Sequence, residues 1–286
     1  MISRDLILRV SSAIPLVFFV CWFFFLANEI AFIITSIIIA LIGNYELGSA
    51  LRHKSIKIKF FALYLSVVLF FLAFWCLWKG LTDYALGVFI FHTVVILFFS
   101  FFQQSWDSKL ILWYLLPVFW ICLPITLLII VRFRISEFYG SLLIFFLLLV
   151  SAFNDIFAYF GGKKFGKRPL APTISPKKTI EGSVFGLLGG LLSGTIMAYC
   201  AMPGLFPIGK LLMTIIAITI ASQIGDLCES KFKRYCQIKD SSNLIPGHGG
   251  LLDRIDGYLI ALPVFIGILL LLGIHWPKLC NQKYNL

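Results

Sequence analysis

Acidic residues are scarce in this chain, with 13 Asp and Glu in 286 positions against 24 Lys and Arg. Charged residues of both signs make up only 13% of it, too few to clothe a soluble domain of this length. No Cys-x-x-Cys pair occurs among the seven cysteines (21, 76, 122, 200, 228, 236 and 280), which removes metal-finger and disulfide-framework readings and leaves them as packing residues. No nucleic-acid motif accompanies the net charge of +11, so the basic residues point to anionic lipid head groups and cytosolic phosphates instead. No small-residue cleavage site follows the apolar run after Arg4 and Arg9, which argues against a signal peptide.

What the chain has is apolar length. Hydrophobic residues make up 60% of it, 30 of them Phe, and the mean hydropathy is +0.98. No soluble core of this size buries so much apolar surface, so the chain belongs in a bilayer. Nine stretches approach the roughly 20 apolar residues of a spanning helix: about 12–26, 29–50, 59–78, 84–102, 110–132, 140–161, 180–201, 208–228 and 252–273. The expected fold is therefore an all-α polytopic integral membrane protein of about nine transmembrane helices. It reads as one membrane domain, with N-terminal helices over 1–139, a catalytic region with cytoplasmic loops over 140–273, and a short tail over 274–286. Only Ala27 to Glu29 separates the first two stretches, which leaves a hairpin or one long tilted helix open. With the N-terminus inside, 18 of the 24 basic residues fall on the inner side, as positive charge does in cytoplasmic loops.

The placement of the acids carries more information. An acid at the centre of a spanning helix costs about 3 kcal/mol, yet Asp155, Asp226, Asp253 and Asp256 lie within or beside the inner ends of spans six, eight and nine. Asp253 and Asp256 share one face of the ninth helix as it starts, a position that the helix dipole also favours. Asp226 ends a different run, where no helix start stabilises it. Aspartates converging from separate helices suit a hard cation such as magnesium, which binds through one or two carboxylates plus substrate phosphates. Glu46 closes the second span, where a solvated end is favoured over a side chain turned into the pocket.

A second cluster, APTISPKKTIEGS at 171–183, sets Ser175, Lys177, Lys178 and Thr179 just ahead of a helix. Lysines and helix N-terminal amides together cradle phosphate, and Thr179 with Glu181 also reads as a plain cap. Gly247, Gly249 and Gly250 surround His248, whose role as proton carrier, phosphate donor or loop hydrogen-bonder position alone does not rank. Gly182, Gly186, Gly190 and Gly194 recur every four residues, a stripe for close packing within the chain or across a homodimer.

From Ser230 the chain reads Ser-x-Phe-Lys-Arg-x4-Lys-Asp-x-Ser-x2-Ile-Pro-x-His-Gly-Gly-Leu-x-Asp-Arg-Ile-Asp, ending at Asp256. These positions and the upstream SPKKTIEG resemble the phosphatidate cytidylyltransferase family, also called CDP-diacylglycerol synthase. The resemblance is specific over roughly 150–260. It departs after Asp155, where the family commonly has a small residue or a hydroxyl and this chain has Ile156 and Phe157. It implies transfer from CTP to phosphatidic acid, giving CDP-diacylglycerol and pyrophosphate, with magnesium required and a second cation such as K+ admitted. On this resemblance Asp226 and Asp253 are the metal ligands, and the catalytic set is Asp226, Lys239, Asp240, His248, Asp253, Arg254 and Asp256. Ser175, Lys177, Lys178, Thr179, Lys233 and Arg234 would bind phosphates. Short loops suggest a bacterial inner membrane with the site facing the cytoplasm. Two other classes compete: a cation-coupled transporter or channel, weakened by the lack of a convincing internal repeat, and a CTP-dependent lipid kinase that would release CDP.

Overall fold

The computed structural model describes residues 15–56, 58–101, 109–135, 137–247 and 249–272. Those residues are overwhelmingly helical, as a bilayer requires: without water, every backbone polar group must find its partner inside its own segment. The helices are α1 (Pro15–Leu26), α2 (Glu29–His53), α3 (Phe60–Trp78), α4 (Thr82–Phe101), α5 (Lys109–Pro117), α6 (Leu123–Ile130), α7 (Glu137–Phe165), α8 (Ile180–Ala201), α9 (Ile208–Tyr235) and α10 (Leu252–Leu271). Between α7 and α8 lies a short antiparallel hairpin, β1 (Pro169–Ala171) and β2 (Ser175–Thr179), in which Pro169 faces Thr179 and Ala171 faces Ser175.

Among the described residues, eight apolar runs are long enough to cross a membrane: α2, α3, α4, the run 111–133 that joins α5 to α6, and α7 to α10. The first expected span, 12–26, meets α1, which is shorter, and positions 12–14 of that stretch lie outside the described residues. α1 and α2 are separate helices, because Ala27 turns extended at φ −67°, ψ 129°. α5 does not pass smoothly into α6. Pro117 has no N–H to offer its preceding turn, and the chain widens into a π turn at Val118–Cys122 before α6 resumes.

Two compact units share the chain. One comprises 30–126 and 235–254; the other comprises 18–29, 127–234 and 255 onward. In the first, α3 packs along α4 and against the π turn at Val118–Cys122. Phe32, Leu47, Leu51, Leu63, Tyr114 and Ile121 are fully buried there. The Tyr114 hydroxyl accepts from the Lys59 N–H at 3.0 Å, which satisfies one free amide at the start of α3.

In the second unit α7 and α8 pack antiparallel, with Gly162 against Gly182 and Val150 against Gly194. The glycine stripe makes this possible. A Cβ at Gly186 would sit 2.4 Å from Asn154 Oδ1 on α7, and one at Gly190 would sit 2.5 Å from Thr219 Oγ1 on α9. α8 thus fills its small-residue face with its own chain on both sides. Leu188 and Leu192, on the opposite face, are exposed as lipid-facing residues are. Gly190→Leu should therefore lower stability by about 1–3 kcal/mol or more through overpacking, whereas Leu188→Phe should be nearly neutral. Thermal unfolding of the two variants in detergent checks this, and equal melting temperatures would contradict the packing described.

Candidate active site

The β hairpin delivers the SPKKT segment to the start of α8. Two backbone amides, those of Lys167 and Arg168, donate to Glu181 at 3.0 and 3.2 Å, which closes the loop from α7. Thr179 is the N-cap of α8, its hydroxyl accepting from the Gly182 N–H at 3.1 Å. The capping reading of Thr179 is therefore met in the structure. The segment that the sequence set just ahead of a helix is the strand β2, and its residues differ in exposure. Lys177 is exposed, whereas Lys178 is half-buried and pairs directly with Asp226 on α9. Ser230, one turn beyond, donates to the other Asp226 oxygen at 3.4 Å.

Asp226 is not alone. Its carboxylate interacts through space with those of Asp155 on α7 and Asp256 on α10, and Lys178 acts on Asp155 with the opposite sign. The crossing of α9 and α10 sets this distance. A Cβ on Gly225 would lie 2.7 Å from the Asp256 carbonyl oxygen and 3.0 Å from Gly257 Cα, so the two backbones touch beside the acids. Fully buried Glu229 follows one turn after Asp226 and holds Lys233 at 2.7 Å. Carboxylates outnumber ammonium groups four to two in this cluster.

A second layer fixes Asp155. Asn154, fully buried, donates to Asp155 Oδ1 at 2.9 Å and accepts from Gln223 Nε2 at 2.7 Å. Gln223 Nε2 also reaches the Ser183 carbonyl at 3.1 Å, and its oxygen accepts from the Ser183 hydroxyl. One amide thereby ties α7, α8 and α9 together under the acids. Sequence reasoning missed Asn154, Ser183 and Gln223. The available signal was polar side chains one to three residues before Asp155 and Asp226 in otherwise apolar runs. Phe157, close after Asp155, lies against Gly189, where an added Cβ would meet its ring at 2.5 Å.

The signature segment 239–254 belongs to the other unit. Glu46 governs it. The sequence reading of Glu46 as a solvated end is corrected here, since it is 1% exposed. Its carboxylate accepts from the Ser241 hydroxyl at 3.1 Å, the Ser242 hydroxyl at 2.5 Å, the Leu251 N–H at 2.9 Å and the Leu252 N–H at 2.7 Å. A buried charge is tolerated because donors surround it, two of them amides at the positive end of α10. Gly250 is needed beside it, for a Cβ there would fall 2.7 Å from a Glu46 oxygen. Asp253, expected as a metal ligand, accepts from the Gly250 N–H at 2.8 Å and the Ser241 N–H at 3.0 Å. Both amides precede α10, so Asp253 fastens the incoming loop to the first turn of that helix.

Lys239, Asp240 and Arg254 are exposed, and His248 lies outside the described residues. Gly247 and Gly249, on either side of it, have φ of +75° and +82°, which favour glycine, and the Ile245 N–H donates to the Gly249 carbonyl at 2.8 Å. Arg234, expected to bind phosphate, directs its Nε to the Ile174 carbonyl at 3.4 Å. Ser175 begins β2 and is half-buried.

An apolar polytopic bundle that gathers carboxylates on neighbouring helices, with lysines paired to them, has the make-up of a membrane-embedded enzyme acting on anionic groups. Comparison with known proteins agrees. A family model described as the cytidylyltransferase family matches residues 7–272. A phosphatidate cytidylyltransferase of Haemophilus influenzae is 33% identical over 280 residues, covering 90% of this chain and 96% of that protein. One from Helicobacter pylori is 33% identical over 220 residues, 76% of each chain. One from Bacillus subtilis is 41% identical over 141 residues, so that match spans about half of each, 49% of this chain and 52% of the relative. The chain belongs to the cytidylyltransferase family.

Glu46→Ala would leave two hydroxyls and two helix-start amides without their acceptor. Stability should fall by roughly 3 kcal/mol, and the Leu251 and Leu252 amides should lose protection in hydrogen exchange. Unchanged exchange at those two amides would refute the anchoring role.

Proposed function

We propose that this protein is a phosphatidate cytidylyltransferase, joining CTP to phosphatidic acid to give CDP-diacylglycerol and pyrophosphate. The observation that carries the reading is the Lys178–Asp226 pair: the SPKKT lysine meets the acid of α9 within a group of three interacting aspartates. An oxygen of the lipid phosphate attacks the α-phosphorus of CTP, the new P–O bond forms, and the bond from the α-phosphorus to the bridging oxygen breaks as pyrophosphate leaves. The second pKa of a phosphate monoester is about 6, so the nucleophile is already mostly dianionic at neutral pH and needs no strong general base. The barrier is the meeting of two anions, and reactions of this kind are catalysed mainly by positioning and charge neutralisation.

The residues suit that task. Lys177 and Lys178 carry positive charge to the start of α8, where Ser175 adds a hydroxyl. Exposed Lys239 and Arg254 supply further cations on the signature segment. Magnesium fits the donor set by its chemistry. The donors are carboxylate oxygens, and among the described residues no three His, Cys, Asp or Glu side chains gather tightly enough to hold a metal by themselves. That suits an ion shared with substrate phosphates. Asp226 and Asp256, with Asp155 beside them, would hold it, and bound there it would withdraw charge from the nucleotide phosphates. A second cation such as K+ would find the same surplus of carboxylates. Asp253, given its amide partners, would hold the loop that carries Asp240 and Arg254.

The bias of basic residues supports a site facing the cytoplasm of a bacterial inner membrane. The glycine stripe that a homodimer would use is filled by α7 and α9 of the same chain, so the stripe itself gives no support to a dimer.

Purified protein given phosphatidic acid, magnesium and CTP labelled separately in the base and at the γ-phosphate tests the reading. Base label should enter the lipid while the γ label leaves as pyrophosphate. Transfer of the γ label to lipid would replace the assignment with a lipid kinase, and no label in lipid would overturn both. Asp226→Asn should reduce turnover about 100-fold or more in protein that remains folded. Lys178→Ala should also lose most activity, with partial recovery in Lys178→Arg. Full activity in the Ala variant would remove Lys178 from the site.

A further inference from the structure

Three polar side chains lie under the acid cluster, and chemistry fixes which way each of them points. Gln223 Nε2 reaches two oxygens, the Ser183 carbonyl at 3.1 Å and Asn154 Oδ1 at 2.7 Å. A carbonyl can only accept, so the group that faces it is the NH2 of Gln223 and not its oxygen. That oxygen is left for the Ser183 hydroxyl, which donates to it. Asn154 has no choice either. Having turned its oxygen to Gln223, it turns its own NH2 to Asp155 and donates to Oδ1 at 2.9 Å. The donors therefore run one way, from Ser183 through Gln223 and Asn154 to Asp155, and the series ends on an acceptor.

The surroundings hold this order in place. Asn154 is fully buried, and Gly186 makes room for it: a Cβ there would sit 2.4 Å from Asn154 Oδ1 and 3.0 Å from its carbonyl oxygen. Gln223 stands three residues before Asp226 on one face of α9, and Ser183 follows the cap Thr179 within the first turn of α8. Lys178, next to that cap, pairs with Asp226. Lys178, Asp226, Gln223 and Ser183 thus close a circuit through one turn of α8 and one of α9. A single amide serves both ends of the site. Toward α7 the relay occupies Oδ1 of Asp155 and leaves Oδ2 to the cluster; toward α8 it sets where the SPKKT strand meets α9.

We infer that Gln223 is a positioning residue of this site: through Asn154 it fixes which oxygen of Asp155 is offered to a divalent cation, and through Ser183 it fixes the approach of Lys178 to the phosphates of the nucleotide. The inference rests on the phosphatidate cytidylyltransferase reading for the nucleotide and its reaction, and on the hydrogen bonds alone for the relay. Groups that hold a ligating carboxylate from behind orient it and tune its affinity for the metal. Gln223 does this for one acid while also tying down the strand that carries a lysine, so metal and nucleotide are seated by the same side chain.

Two variants separate the arms of the relay. Gln223→Met keeps the length of the side chain and removes the amide, whereas Asn154→Leu cuts only the link to Asp155. Mn2+ binding to the full-length protein in detergent, without nucleotide or lipid, is followed by the loss of the free-ion electron paramagnetic resonance signal. Each variant should weaken Mn2+ binding about tenfold. In turnover, the Mg2+ concentration for half-maximal rate should rise by a similar factor in both, with the KM for phosphatidate unchanged. Only Gln223→Met should also raise the KM for CTP. Gln223→Asn, which keeps an amide but draws it back by one methylene, covers the case in which the other changes unfold the protein, and should weaken Mn2+ binding in the same direction. A lowered melting temperature with Mn2+ affinity and Mg2+ dependence unchanged would overturn the inference and leave Gln223 a packing residue. Failure of the wild type to bind Mn2+ would overturn it as well. Should the variants lose Mn2+ while the wild type fails to turn over CTP and phosphatidate, the functional reading falls and the relay stands; turnover that is identical in all the proteins would leave the reading and remove the relay.

Discussion

A single carboxylate, that of Glu46, organises the segment that identifies this protein. Four donors converge on it from residues about 200 positions away in sequence, two hydroxyls and two amides at the head of α10. A helix that begins at the edge of a membrane must satisfy its first amides without a ready supply of water. Here an acid from another span does so. The same contacts set the course of the loop that presents Lys239, Asp240 and Arg254, and Asp253 fastens that loop through the Ser241 and Gly250 amides. Signature residues that read as a row of reactive groups are, in part, the means by which that row is held in shape.

The second unit solves a related problem with small residues. Glycines on α8 let α7 and α9 approach until Asn154 and Gln223 share a hydrogen bond, and Gly225 lets α10 touch α9 beside Asp226 and Asp256. Close approach is what makes the acids interact. With larger residues at these positions the helices would stand further apart, and aspartates at the membrane edge would each face solvent or lipid separately. The surplus of negative charge is tolerable because two lysines already sit in the cluster and phosphate chemistry brings cations with it.

Much of this was legible in the sequence. The spans at 180–201 and 59–78 follow from apolar length and from their flanks, because in lipid the requirement for internal hydrogen bonds leaves helix as the only option for such runs. The acids of α7, α9 and α10 were legible as well, since scarcity made each one conspicuous. What escaped notice depends on long-range contact. Glu46 looked like any acid at a helix end, and only the fold brings Ser241, Ser242 and the start of α10 to it. Asn154 and Gln223 were hidden because a polar side chain in an apolar run does not state its partner. The short hairpin at 169–179 escaped for another reason: three- and five-residue strands have too little periodicity to stand out from a loop rich in Pro and Lys.

The order of the two units along the chain has a consequence for synthesis. Residues 30–126 form a unit with 235–254, and the chain between them folds into the other unit. Ribosomes add about 5–20 residues per second, so roughly 10–40 s separate the appearance of Glu46 from that of Ser241. For that interval the α2 carboxylate has left the ribosome without the partners that will enclose it. α2 and α3 must therefore be handled by the insertion machinery as a hairpin with an uncompensated acid near its tip, and the protein becomes complete only when its last span begins.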